Sequence, residues 1–141
     1  EQEISRIFTK SMIVRLPGLF GEGLKKNIIY DFKTSNIDYL NKAVHKDNAF
    51  QFYYLENIWK DIKIAASQGI KLINFNAFPT TVSEIAKKGF NIDFTNTSTE
   101  NILRYNIKTK YYSIYNGAEG YMYNKDNVFS QLKEYLAGLK D

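Results

Sequence analysis

The amino-acid sequence predicts an α/β fold in which strands alternate with helices. Three apolar runs rich in β-branched or aromatic residues stand out: Met12 to Leu16, Phe50 to Tyr54 and Ile70 to Phe75. Each is followed by a segment whose apolar residues recur at helical spacing, and strands alternating with helices are the mark of α/β layering. The chain's 141 residues suffice for one domain with a real core. Three strands are few beside so many helices, which is what part of a larger sheet looks like.

In chain order, residues 1 to 9 read as the end of a helix, because Ile4, Ile7 and Phe8 fall at helical spacing at once. The opening Glu1-Gln2-Glu3 carries no methionine, and we read the chain as a piece of a longer polypeptide. Met12 to Leu16 is the first strand, closed by Pro17-Gly18, since proline brings no N–H to a ladder. Gly18, Gly21 and Gly23 lead into a helix whose Leu24, Ile28 and Phe32 share a face. Asn36 to Asn48 is a polar connection with a short helical turn. Phe50 to Tyr54 is an aromatic strand running into a helix that buries Leu55, Ile58, Trp59, Ile62, Ala65 and Ala66, with Gly69 ending it in the left-handed conformation. Ile70 to Phe75 is the third strand. Thr81-Val82-Ser83-Glu84 fits a capping box, and Gly89 is the expected stop of that helix. Asn91 to Asn106 is a polar connection, and Lys108 to Tyr123 is dominated by tyrosine. A last helix, about 125 to 138, buries Val128, Phe129, Leu132, Leu136 and Tyr135.

Composition narrows the function classes. With 44% hydrophobic and 24% charged residues the chain falls among globular proteins and outside the disordered classes. It has no cysteine, so disulfide scaffolds, cysteine-ligated zinc, iron–sulfur clusters and thiol nucleophiles are excluded. No apolar stretch approaches the roughly 18 to 20 residues of a bilayer span, and no signal-peptide pattern opens the chain, so the expectation is a cytoplasmic protein without membrane contact. The net charge of +4 suits an anionic partner, but the lysines come singly or in pairs beside acids, with no run of five. We therefore expect a solvated, mildly basic surface and no nucleic-acid partner.

The candidate sites follow from residue chemistry. Gly18-Leu19-Phe20-Gly21-Glu22-Gly23 is neither the GxGxxG order nor a Walker A loop. A helix start carrying Lys25 and Lys26 would still attract an anion, because free N–H groups and two ammonium charges add there; the alternative is a tight turn with solvated lysines. His45, the lone histidine, has no partner for a zinc site and reads as a surface residue. Glu56, Asp61 and Glu84 fall at exposed or capping helix positions and define no carboxylate pair. Tyr105, Tyr111, Tyr112, Tyr115, Tyr121 and Tyr123 suit either stacking platforms or core packing.

Ile13-Val14-Arg15-Leu16-Pro17-Gly18-Leu19-Phe20-Gly21, followed by Gly23-Leu24-Lys25-Lys26-Asn27, resembles the C-terminal half of the NAD-dependent epimerase/dehydratases, the extended short-chain dehydrogenase/reductases acting mostly on nucleotide sugars. Phe50 to Ile58 resembles that family's strand that turns into a helix, and Leu72-Ile73-Asn74 before a threonine-capped helix resembles the strand after it. The resemblance covers most of the chain and loosens in the tyrosine-rich tail. It implies a Rossmann-like fold in which residues 1–141 form one domain: a late parallel strand plus the small substrate-binding lobe. The N-terminal Rossmann lobe, holding NAD or NADP, lies outside this sequence. By the same resemblance Pro17, Gly18 and Leu19 lie near the nicotinamide. Asn27 contacts a small-molecule substrate, a nucleotide sugar, and Lys25 and Lys26 face its diphosphate.

Two positions depart from the family. Gly18 stands where members often carry asparagine, and Phe50 where an arginine usually grips the diphosphate, which leaves Gln51 and the lysines for that task. The family's GxxGxxG loop and Tyr-x-x-x-Lys pair are also missing from this segment. Tyr121 and Lys125 have the right letters but fall far beyond the place of the pair, and we read them as coincidence. The expectation is a substrate-side fragment of an NAD(P)-dependent oxidoreductase, inactive alone. The alternative is a non-catalytic nucleotide- or glycan-binding module that retains the fold.

Overall fold

The computed structural model describes residues 1–98 and 100–138. Its elements run α1 (Gln2–Ile7), β1 (Ile13–Arg15), β2 (Gly18–Phe20), α2 (Ile28–Lys33), α3 (Ile37–Ala43), β3 (Ala49–Phe50), β4 (Phe52–Tyr54), α4 (Ile58–Ser67), β5 (Leu72–Asn74), β6 (Thr80–Thr81), α5 (Val82–Phe90) and α6 (Lys125–Ala137). The expected α/β class is what the chain adopts, with strands finely divided. Among the described residues they form three two-stranded pieces, β1-β5, β2-β4 and β3-β6. The first two are parallel, pairing Val14 with Ile73 and Leu19 with Tyr53. The third is antiparallel.

Pro17 closes β1 as expected, but Gly18 to Phe20 immediately re-forms as a strand against β4. The aromatic run divides as well: Gln51 separates β3 from β4, and the two pair with different partners. Side chains alternate across a strand, so Phe52 and Tyr54 enter one core and Tyr53 the other. The first core is closed by α2, α3, α5 and α6 through Ile29, Phe32, Leu40, Ile85 and Leu132, and the second gathers Ala65, Ile73, Phe75 and Met122. β4 is thus a wall buried on both faces.

Helix ends follow local chemistry. In the capping box of α5, Glu84 N–H donates to the Thr81 hydroxyl at 3.2 Å and Thr81 N–H to the Glu84 carboxylate at 2.9 Å. Gly69 has the expected left-handed φ of 66° after α4. Gly89 does not stop α5. It sits inside the helix, where a Cβ would come within 2.7 Å of Leu132 Cδ2, so the glycine lets α5 and α6 approach closely. Asn91, with φ 56°, ends the helix instead.

Three further placements differ from expectation. On α4 the buried face carries Asp61 and Ala65, while Trp59 is 71% exposed and Ala66 lies outside. His45 is buried, its Nδ1 accepting from the Asp47 N–H at 3.1 Å. The second helix begins only at Ile28, so Lys25 and Lys26 belong to the exposed loop before it. At the other extreme α1 leaves Ile4, Ile7 and Phe8 more than half exposed, and Glu1 pairs with Arg15 at the end of β1. No helix among the described residues is long and apolar enough to cross a membrane.

Candidate functional site

A cleft of about 490 Å³ opens where β1 gives way to β2. Leu16, Pro17 and Gly18 form one side, Asn27 and Ile28 a second, and Phe50 to Phe52 the floor. Tyr105 and Ile107, from a segment without regular structure, form the remaining wall. Four residues singled out in the sequence therefore converge: Pro17, Gly18, Asn27 and Gln51. Leu19, Lys25 and Lys26 are not in the lining. Leu19 packs instead against the second core, and its carbonyl accepts from Asn27 Nδ2 at 2.6 Å.

The wall is held by buried amides. Asn48 accepts from Leu103 N–H at 2.8 Å, and the backbone of Ala49 bonds to Leu103 and Tyr105. Gln51 is 3% exposed; its Nε2 donates to the carbonyls of Ala77 and Ile107, both at 2.8 Å, and its Oε1 accepts from Ile107 N–H at 2.6 Å. Asn76 Nδ2 donates to the same Ile107 carbonyl and to Gly120. Residues 103–107 are thus strapped down by one parallel bridge between Ala49 and Arg104 and, beyond it, by side chains that supply the partners a longer ladder would give. Both N–H groups of Gln51 are consumed in this clamp.

The strap sets Tyr105 against Phe50, with ring centres 5.7 Å apart and planes within 29°, while Phe52 meets Phe50 edge-on. Gly18 fits closely here, since a Cβ would lie 3.0 Å from the Phe52 ring and 3.1 Å from the Gln51 carbonyl, and those neighbours would have to give by a few tenths of an ångström to take one. Asn27 is the unusual backbone. Its φ of 82° and ψ of 172° lie in a region populated by glycine almost alone, which costs about 1–3 kcal/mol. Two side-chain bonds hold it there, Nδ2 to Leu19 and Oδ1 from Ile29 N–H at 2.9 Å, the latter capping α2. Strain held at a cleft in this way marks positions where geometry matters more than stability.

A second polar cluster lies in the other core. Asp61 is wholly buried, and one carboxylate oxygen accepts from the hydroxyls of Tyr53 and Tyr123, each at 2.7 Å. The Tyr115 hydroxyl donates to the Asp61 backbone carbonyl, and Lys60 Nζ stands 3.9 Å from the other carboxylate oxygen. Burial, then the Asp61 carboxylate, pushes Tyr53 and Tyr123 far above an ordinary phenol, and Tyr115 up to about 12. Sequence reasoning placed Asp61 outside; its position three residues after Ile58 and four before Ala65 was the available signal. Of the six tail tyrosines only Tyr105 reaches the cleft. Tyr111, Tyr115 and Tyr123 pack on the second core, and the buried Tyr121 bonds Asn106. Lys125 is tied to Glu84 at 2.7 Å, so Tyr121 and Lys125 are engaged apart from each other. Among the described residues no cluster of acidic or histidine side chains could hold a metal ion.

Short parallel strands, with the cleft at the end of one of them, define an α/β fold of Rossmann-like type. A solved structure described as a UDP-galactose 4-epimerase is similar over 99% of this chain, with a TM-score of 0.61 and 13% sequence identity. The chain spans 50% of that protein's length. No protein-family model and no curated protein matches the sequence.

Proposed function

We propose that this chain is the substrate-side half of an NAD(P)-dependent oxidoreductase of epimerase/dehydratase type, acting on a small molecule of the nucleotide-sugar class. One observation carries the reading: Pro17, Gly18 and Asn27, named by the family resemblance, line a single cleft at the end of β1 together with Gln51, singled out where Phe50 departs from the family. The likeness in fold to half of a UDP-galactose 4-epimerase supports it. The exposed apolar residues around α1, and the edge of β1 that pairs with no strand among the described residues, are compatible with an N-terminal Rossmann lobe of the same chain. A cytoplasmic setting belongs to the same proposal.

The cofactor's share in this half is small. Leu19 is paired in β2 with its carbonyl taken by Asn27, so the nicotinamide end would meet Pro17 and the exposed Gly18 at the rim. Bound NAD(P) would supply hydride transfer, and its pyrophosphate and the proton-transferring pair belong to the other lobe. Lys25 and Lys26 are exposed and outside the cleft lining, on the loop that leads to Asn27.

The test is to read the coding sequence upstream of Glu1 for GxxGxxG and Tyr-x-x-x-Lys, and to assay the full chain for NAD(P)H-linked turnover of nucleotide sugars. Absence of both motifs together with absence of turnover removes the enzymatic reading. The second reading, a binding module that retains the fold without the chemistry, shows itself as ligand affinity without NAD(P)H affinity.

A further inference from the structure

We propose that the cleft seats an uncharged flat ring and not a phosphate. This rests on the reading of the cleft as a small-molecule site and narrows what enters it. No Lys, Arg or His lines the cleft, and no Asp or Glu. Its surface is dominated by Phe50, Phe52, Tyr105, Ile28 and Ile107. The polar groups present are largely spent: Gln51 has both N–H groups on carbonyls, and Asn27 has used its oxygen and one N–H. Among the lining side chains, one amide hydrogen of Asn27 and the Tyr105 hydroxyl remain to orient a ligand. A phosphate entering here would shed its water and meet no cation, which disfavours the charged group strongly. A flat ring loses nothing of the kind and gains a face, because the Phe50–Tyr105 stack presents Tyr105, 51% exposed, at the wall.

Two sources supply such a ring, an aryl substrate or the base of a nucleotide substrate, and matched probes separate them. The full chain is titrated by calorimetry with 1-naphthol, with 1-naphthyl phosphate and with uridine, at low and high salt. At least one neutral ring binds, uridine marking a base and 1-naphthol alone an aryl group. The naphthyl phosphate binds no tighter than 1-naphthol, without salt dependence. Tyr105→Ala weakens the neutral ring by about tenfold or more, and Phe50→Arg shifts preference to the phosphate by about tenfold. Phe50→Leu, which keeps the cleft apolar, retains the preference for neutral rings and stands in if the arginine variant fails to fold. Tenfold tighter, salt-dependent binding of the phosphate by the natural chain overturns the proposal, as does absence of binding by both neutral rings. Ring binding without NAD(P)H turnover and with both upstream motifs absent sinks the enzymatic reading and leaves this proposal standing; turnover with phosphate-driven affinity does the reverse.

Discussion

Replacing Gln51 with leucine tests whether the cleft wall is held as described. Leucine fills similar space but removes three hydrogen bonds at once, two to Ile107 and one to Ala77. At about 1 kcal/mol net for each, the loss is about 3 kcal/mol. The share falling on Ala77 is the least recoverable, because that residue is 1% exposed and its carbonyl has no water to turn to. Ile107 is 49% exposed and its backbone can hydrate once the strap lifts. For a chain of this size about 3 kcal/mol lowers the melting temperature by about 10 °C. Thermal unfolding followed by circular dichroism measures the loss, and hydrogen exchange locates it. The Ile107 amide loses protection, while Phe52 to Tyr54, held by their own ladder, keep theirs. A variant melting within a degree or two of the natural chain, with Ile107 still protected, refutes the clamp and returns Gln51 to the role of a free ligand contact.

Three other outcomes follow from the same structure. Tyr123→Phe removes one bond to a buried carboxylate and costs about 2 kcal/mol, whereas Asp61→Ala strands two buried hydroxyls and costs about twice that; equal losses in urea unfolding would contradict the shared-acceptor geometry. Burial alone would raise the Glu84 carboxyl, but Lys125 and the Thr81 N–H outweigh it and lower it below the ordinary 4.5. Its contribution is therefore present above about pH 4.5 and lost as pH falls below that, and Glu84→Gln flattens the acid limb of a stability–pH profile; an unchanged limb contradicts this. At the alkaline end Tyr53, Tyr115 and Tyr123 stay protonated beyond the ordinary 10.0, Tyr115 to about 12, so their contribution is complete below pH 10 and drains away above it. Phenolate absorbance should show part of the eleven tyrosines ionising only with cooperative unfolding, and a single early titration of all of them would rule this out.

What was legible in the sequence was local. The Thr81–Glu84 box and the left-handed Gly69 need only neighbours in the chain, and both stand where expected. β2 was missed because Pro17-Gly18 is a local stop, while the pairing that rebuilds a strand comes from Phe52 to Tyr54 far along the chain. Trp59 and Asp61 changed places for a similar reason: hydropathy alone turns tryptophan inward, and only the hydroxyls of Tyr53 and Tyr123 make burial of the acid tolerable. In the cleft, Pro17, Gly18, Asn27 and Gln51 were reachable from motif. Tyr105 as the opposite wall was not, because residues 103–107 carry no periodic pattern and owe their place to the Ala49 backbone and to the side chains of Asn48, Gln51 and Asn76.

The division of the strands into pairs of two or three residues bears on how the chain reaches this state. An isolated two-stranded pair is marginal in water at best. Each of these pairs joins distant segments, Ile13 with Leu72 and Gly18 with Phe52, so loop closure must come before any reward. β1 and β2 leave the ribosome long before β5 and β4 and wait unpaired with their apolar residues exposed. These separations predict slow folding that waits for β4, the wall between both cores, before the rest can condense.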